Sequence, residues 1–264
     1  LVHGLAHVGA DEEGIVAEAL GVLGRCVGRR AEGHQVHDRV VREARGLPAG
    51  HGFTQQNLDT DTGYYTFDPA PGVHCVVLDT VNPAGGANGN LDQAQFDWLA
   101  ADLAAAATSL TLIFAHHTIG TMDNTFLRPN DPNPPRLGAD LQQLLWAHPN
   151  VVAFVNGHTH RNTVIPRPDA NRPGGGFWEI NTAAHIDWPQ QSRLVELFDN
   201  ADGTVSIFGT MIDHEAPPDV PALTAEGLAT VSRELAYNDP QIPAANGGGT
   251  PLDRNVEQVI AKPT

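Results

Sequence analysis

Cysteine is scarce in this sequence, and the two that occur, Cys26 and Cys75, lie far apart and form no C-x-x-C pair. Neither a disulfide framework nor a cysteine-rich zinc site is expected from so few and so widely spaced thiols. The Gly-x-Ser-x-Gly turn of many serine hydrolases is also absent, and neither cysteine lies in a motif typical of a catalytic thiol. The sequence therefore argues against serine and cysteine hydrolases.

Basic residues are also few, since 15 lysines and arginines stand against 31 acids and the formal charge is −16 at pH 7. Nucleic acids and anionic membranes both favour basic surfaces, so neither is an expected partner. No apolar run approaches the roughly 18 residues of a membrane-spanning helix, and no signal peptide is recognisable. The composition predicts a soluble protein that attracts cations, metal ions among them.

Apolar patterning predicts the order strand, helix, strand, helix, strand, followed by strands only. This order is typical of an α/β layered domain whose sheet ends antiparallel. Strands are predicted at 64–68, 74–79, 110–115, 151–155, 175–181, 192–199 and 203–210, and helices at 11–30, 91–107, 137–148 and 222–237. We divide the chain into an N-terminal helical segment (1–45), a central region (46–215), and a C-terminal helix with a flexible tail (216–264).

Two of the predicted buried strands end in histidines. "LIFA" leads into His116 and His117, and "VAFV" leads through Asn156 and Gly157 into His158 and His160. Ligands of layered α/β folds collect beyond the carboxyl ends of strands, and imidazole is the commonest side-chain metal ligand. Residues two apart on an extended segment point the same way, so the second pair suits a metal site. Adjacent strand residues point to opposite faces, so His116 and His117 are not expected to serve one ion.

Three motifs of this chain, "QAQFDWLAADL", "LIFAHHT" and "NGHTHRN", occur in the order and spacing of the C-terminal half of one family. In them the chain resembles the calcineurin-like metallophosphoesterases. It is similar above all to a bacterial subfamily, through "GHGFT", "YYTFD", "LDTVNP", "GFWEI" and "HIDWPQQSRLVEL". The resemblance covers residues 48–200, and "SRELAYNDPQ" at 232–241 extends it.

The resemblance implies the C-terminal part of a four-layer αββα sandwich with mixed sheets. It also implies two divalent ions, manganese, iron or zinc, that support the hydrolysis of a phosphate ester. By the family motifs, the metal ligands of this chain are His116, His158 and His160. The subfamily further implies a bacterial protein, either cytoplasmic or exported.

The four remaining ligands of the family are missing from the expected place. Residues 1–60 contain no Asp-x-His, no Gly-Asp and no Gly-Asn-His. We therefore expect the C-terminal half of a longer phosphoesterase, whose partners are a phosphate-ester substrate and the N-terminal half of the same protein. The alternative is a non-catalytic or degenerate metal-binding module on the same scaffold.

Five polar residues lie close to the proposed ligands in sequence and are candidates for orienting a ligand or contacting substrate: His117, Asn156, Arg161, His185 and Asp187. Ligand histidines need carboxylate or carbonyl partners to orient them, which favours a role for His185 and Asp187. A structural hydrogen-bond role is the competing interpretation for each of these residues.

Overall fold

The structure is a computed structural model, and it describes residues 6–11, 14–19, 54–129, 131–214, 223–240 and 247–263. Eleven strands occur in these ranges: β1 (Ala6–Asp11), β2 (Gly14–Ala19), β3 (Tyr65–Ala70), β4 (Val73–Val77), β5 (Leu110–Phe114), β6 (Val151–Asn156), β7 (Thr163–Pro168), β8 (Gly176–Asn181), β9 (Ser192–Asp199), β10 (Thr204–Ile212) and β11 (Val256–Ala261). The α-helices of the same ranges are α1 (Gln55–Thr60), α2 (Gln93–Ala105), α3 (Gly138–Ala147) and α4 (Ala225–Tyr237).

The strands form two sheets. The six-stranded sheet has the order β3-β4-β5-β6-β8-β7, in which β4, β5, β6 and β8 are parallel and the two edge strands are antiparallel. The five-stranded sheet, β1-β2-β9-β10-β11, is antiparallel throughout. The predicted class, an α/β sandwich with a mixed sheet, is confirmed.

The six-stranded sheet is buried on both faces. Toward the helices, Val76, Ile113 and Phe154 pack with leucines of α2 and α3. Toward the second sheet, Leu112 and Val155 pack with apolar residues of β9 and β10. Burial on both faces explains why these strands read as continuous apolar runs instead of alternating ones. The layers seen in the described ranges are therefore helices, six-stranded sheet and five-stranded sheet.

The helix predicted over 11–30 is wrong at Gly14–Ala19, which form β2 and pair with β9. The rest of the predicted helix beyond Ala19 lies outside the described residues. Two of the six residues of β2, Ile15 and Val16, are β-branched, and such residues favour strands when a neighbouring strand is available. A long-range partner thus overrides the helical spacing.

Three further strands, β1, β7 and β11, were not predicted. Strand β7 contains Pro166 and Pro168, and it lies at the edge of its sheet, where proline is tolerated. Strand β11 lies in the tail predicted to be flexible, and it pairs with β10 along six residues. The prediction of a flexible tail is therefore wrong for 256–261, whereas the C-terminal helix is confirmed as α4. None of the helices that the structure describes is long and apolar enough to cross a membrane.

Candidate metal centre

The carboxyl ends of the parallel strands bring the motif histidines to one rim of the sheet. His116 and His117 follow β5, and Gly157 to His160 follow β6. The two loops are joined by the Gly157 N–H, which donates to the carbonyl oxygen of His116 at 3.0 Å. The neighbouring β4 leads into the glycine-rich loop 82–90, and that loop completes the rim.

His116 and His158 meet directly. The Nε2 atom of His116 lies 3.1 Å from Nδ1 of His158, and the ring centroids are 5.1 Å apart. On the other side of its ring, His158 Nε2 lies 3.1 Å from Oδ1 of Asn88. Since an amide oxygen can only accept, Nε2 carries the proton and Nδ1 of His158 carries the lone pair. This lone pair faces His116.

The environment keeps both imidazoles neutral. Burial, together with the nearby imidazoles of His117, His158 and His160, lowers the pKa of His116 to about 4. Burial also lowers the pKa of His158 to about 4, aided by His117 and His160 and opposed by the carboxylate of Asp123. Neutral imidazole is the form that binds metal ions. Near pH 7 both rings therefore have a lone pair to offer.

His117 joins the same cluster, since one ring nitrogen from each of His116, His117 and His158 lies within 4.8 Å of the others. The expectation that adjacent histidines point to opposite faces is wrong here, because both lie in a bend beyond the end of β5. However, both ring nitrogens of His117 have protein partners: Nδ1 lies 2.7 Å from Thr80 Oγ1, and Nε2 lies 2.9 Å from the carbonyl oxygen of Ala87. His117 is thus engaged in holding the rim together.

The glycine-rich loop 82–90 passes very close to the imidazole ring of His117. A Cβ atom on Gly89 would lie 2.4 Å from Nδ1 of His117, so only glycine allows the loop to pass so closely. The side chain of His117 is buried, and burial lowers its pKa, with the carbonyl of Ala87 acting in the opposite direction. The loop and the imidazole pack as one unit beneath His158.

The pair formed by His116 and His158 fits a divalent transition metal ion. Zinc–nitrogen bonds are about 2.0–2.1 Å long, so two ligand nitrogens of one ion commonly lie roughly 3 Å apart. The observed separation of 3.1 Å matches this requirement, and the proton on His158 Nε2 is held by Asn88 as ligand histidines usually require. The donor set at this point is imidazole, which suits zinc, iron and related ions better than calcium or magnesium.

Unlike His158, His160 is not one of the three histidines whose ring nitrogens lie within 4.8 Å of one another. Its Nδ1 atom contacts Oδ2 of Asp187, whose side chain is largely buried. Both histidines have left-handed backbones, with φ of 69° at His158 and 55° at His160, so the alternation of an extended segment does not apply. Held by the carboxylate, the Nδ1 proton of His160 leaves Nε2 as the acceptor.

The other predicted polar residues are separated by the fold. Asn156 is fully buried, and both ends of its amide are engaged, by Glu179 at 3.0 Å and Asn181 at 2.7 Å. Arg161 is exposed. His185 is also exposed, and its Nε2 lies 3.0 Å from Oγ of Ser192, at the edge of a separate cavity.

Sequence reasoning missed the polar residues that support the histidines, notably Thr80, Asn88, Glu179 and Asn181. Asn88 belongs to the glycine-rich loop, which follows a parallel strand at its carboxyl end, and this position was a usable signal. Asn181 ends β8 in register with Asn156, but the strand order that makes them neighbours was unknown from the sequence.

Comparisons with known proteins add little. No family model matches this chain, and no curated protein matches it. Among the solved structures that match is a dimetal phosphatase from Danio rerio, with 19% sequence identity and a TM-score of 0.41, covering 58% of this chain. This chain accounts for 59% of the length of that protein. A likeness of this size carries no argument about chemistry, which has to be made from the residues of this chain.

Proposed function

We propose that the chain belongs to a metal-dependent phosphoesterase and supplies the C-terminal part of its metal centre. One observation carries the proposal: two neutral imidazoles, His116 and His158, meet with their ring nitrogens 3.1 Å apart at the carboxyl rim of a parallel sheet. The ordered motifs of the metallophosphoesterase resemblance support it. His160, oriented by Asp187, is the third proposed ligand.

Divalent ions at such a centre would lower the pKa of bound water and offset negative charge on a phosphate ester. The residues of this chain would hold the ions and fix their position. Asn88 would keep the proton of His158 on Nε2, and Asp187 would keep the proton of His160 on Nδ1, so that each ring has one nitrogen left to bind an ion. The local positive field would also offset the charge of −16, which otherwise repels a phosphate ester.

A metal-binding module without hydrolytic activity is the second candidate. The cluster found in the described residues consists of three histidines and contains no carboxylate. A neutral imidazole has one nitrogen lone pair and so binds one ion, whereas a carboxylate has two oxygens with which it can bind two. This composition favours binding of a single ion by the chain alone.

The test is to measure metal stoichiometry and affinity for the 264-residue chain by elemental analysis and calorimetry with Zn²⁺ and Mn²⁺. We expect at least one ion per chain. His116→Ala and His158→Ala should each reduce affinity by more than the roughly 10–100-fold that the loss of a ligand's hydrogen-bond partner costs. His148→Ala is the matched control, because His148 follows α3 at the opposite end of the sheet.

Hydrolysis of p-nitrophenyl phosphate and of its bis ester by the metal-loaded chain then separates the two candidates. Metal-dependent turnover that His158→Ala removes supports the phosphoesterase. Tight metal binding without turnover favours the non-catalytic module for this chain. If wild-type protein binds metal no better than His158→Ala, both candidates are wrong.

A further inference from the structure

A buried amide at the end of β8 contacts the loop that carries His158 and His160. Asn181 is the last residue of β8 and Asn156 is the last residue of β6, and they are register partners in the parallel pair. Both side chains are almost completely buried. Buried polar groups require hydrogen-bond partners, so the arrangement of these two amides is closely constrained.

The amide of Asn181 contacts the backbone and side chains on both sides of His158. Its Nδ2 donates to Oδ1 of Asn156 at 2.7 Å and to the carbonyl oxygen of Gly157. Its Oδ1 accepts from the hydroxyl of Thr159 at 2.6 Å. One side chain therefore fixes the residue before His158 and the residue after it.

The loop needs such support because its backbone is unfavourable. His158 and His160 both have a positive φ, 69° and 55°, in the left-handed region. For residues other than glycine this backbone conformation is strained, and the surrounding structure has to hold them there. The contacts of Asn181 hold the segment between these two residues.

A buried carboxylate extends the network to the loop after β5. Glu179 Oε1 accepts from Nδ2 of Asn156 at 3.0 Å and from the backbone N–H of Ile119 at 2.8 Å, and Arg167 Nε donates to Oε2 at 2.7 Å. Ile119 lies directly downstream of the His116 bend. The same network thus contacts both loops whose imidazoles meet at the rim.

We propose that Asn181 is a positioning residue of the metal centre: through Gly157 and Thr159 it holds His158 at the distance from His116 that one ion requires. The inference rests on the proposed metal centre and deepens it, because it assigns the precision of the site to a residue that touches neither ion nor substrate. Thr159 is the second positioning residue, since its hydroxyl donates a hydrogen bond to Oδ1 of Asn181.

The experiment compares Asn181→Leu, Thr159→Val and Thr159→Ser with wild type, with His158→Ala as the reference for a lost ligand. Zn²⁺ affinity is measured by calorimetry, and the visible absorption of the Co²⁺-loaded protein reports the geometry of the ligands. Circular dichroism and thermal unfolding of the metal-free proteins show whether each variant is folded. Thr159→Val removes the hydroxyl at nearly constant volume, so it remains informative if Asn181→Leu does not fold.

We expect Asn181→Leu and Thr159→Val to weaken Zn²⁺ binding by about 10–100-fold and to alter the Co²⁺ spectrum, as loss of a ligand's support does elsewhere. Thr159→Ser should bind like wild type. The inference is wrong if His158→Ala weakens binding while Thr159→Val does not, or if Thr159→Ser binds as weakly as Thr159→Val. If His158→Ala itself binds normally, the proposed function fails first and this inference falls with it.

Discussion

The two ends of the six-stranded sheet each hold histidines whose pKa values are shifted, and the shifts have opposite directions. At the carboxyl rim, His116 and His158 contact each other, and their pKa values are lowered to about 4. At the amino end, His74 on β4 lies between two carboxylates, with Nδ1 2.6 Å from Asp68 and Nε2 2.8 Å from Asp102. The hydrogen bond to Asp102 is the main cause that raises the pKa of His74, and Asp68 adds to it while burial opposes.

The difference shows what each histidine is suited to do. An imidazole with a raised pKa and both nitrogens donating to carboxylates has no lone pair to offer a metal ion. His74 instead links secondary-structure elements through its two ion pairs. It connects β4 to α2 through Asp102 and to β3 through Asp68. The rim histidines are held neutral among other imidazoles, as metal ligands need to be.

Replacing Asp102 should weaken the fold and leave the rim intact. Asp102→Ala removes the carboxylate from a mostly buried histidine, so we expect the free energy of unfolding to fall by about 1–3 kcal/mol. Urea denaturation measures this change. Asp68→Ala is the matched control: the side chain of Asp68 is 74% exposed, and the expected loss is at most about 1 kcal/mol. Equal losses in the two variants would contradict this account.

Replacing Asn88 should weaken the rim and leave the fold intact. Asn88→Ala frees the proton of His158 Nε2 from its acceptor, and we expect Zn²⁺ affinity to fall by about 10-fold in calorimetry. The midpoint of thermal unfolding of the metal-free chain should change little. Asn171→Ala, in the exposed turn between β7 and β8, is the control for a lost surface amide. Unchanged affinity in Asn88→Ala would mean that Asn88 does not set the proton position of His158.

The smallest expected effect is in the pH dependence of stability. The pKa of His74 is raised in the folded chain, so its contribution is complete below the unfolded value of about 6.5 and is lost as pH rises through the folded value. The difference in unfolding free energy between wild type and His74→Gln, measured by urea denaturation, should therefore be largest near pH 6 and shrink toward alkaline pH. Proton binding at other residues cancels in this difference. A difference that grows with pH would contradict the raised pKa.

Helices α2, α3 and α4 and the central strands could be predicted because their signals are local. Buried parallel strands produce apolar runs such as "LTLIF" and "VVAFV", and Asp92, a residue type typical of helix caps, accepts from Gln95 N at the start of α2. The strands that were missed depend on distant partners. Strand β11 is a strand because β10 lies beside it, and β7 tolerates its prolines because, among the described residues, it is an edge strand.

The amino-acid pattern alone was sufficient to place histidines at the ends of two buried strands, and the parallel pairing of β5 with β6 brings them to one rim. The tertiary structure alone determines which atoms meet at this carboxyl rim. His158 contacts Asn88 across 70 positions, and His160 contacts Asp187 across 27. Strand order and loop path bring such residues together, and neither is encoded in the spacing of apolar residues along one strand. For the same reason, only the fold showed that His117, adjacent to His116, is engaged by Thr80 and Ala87.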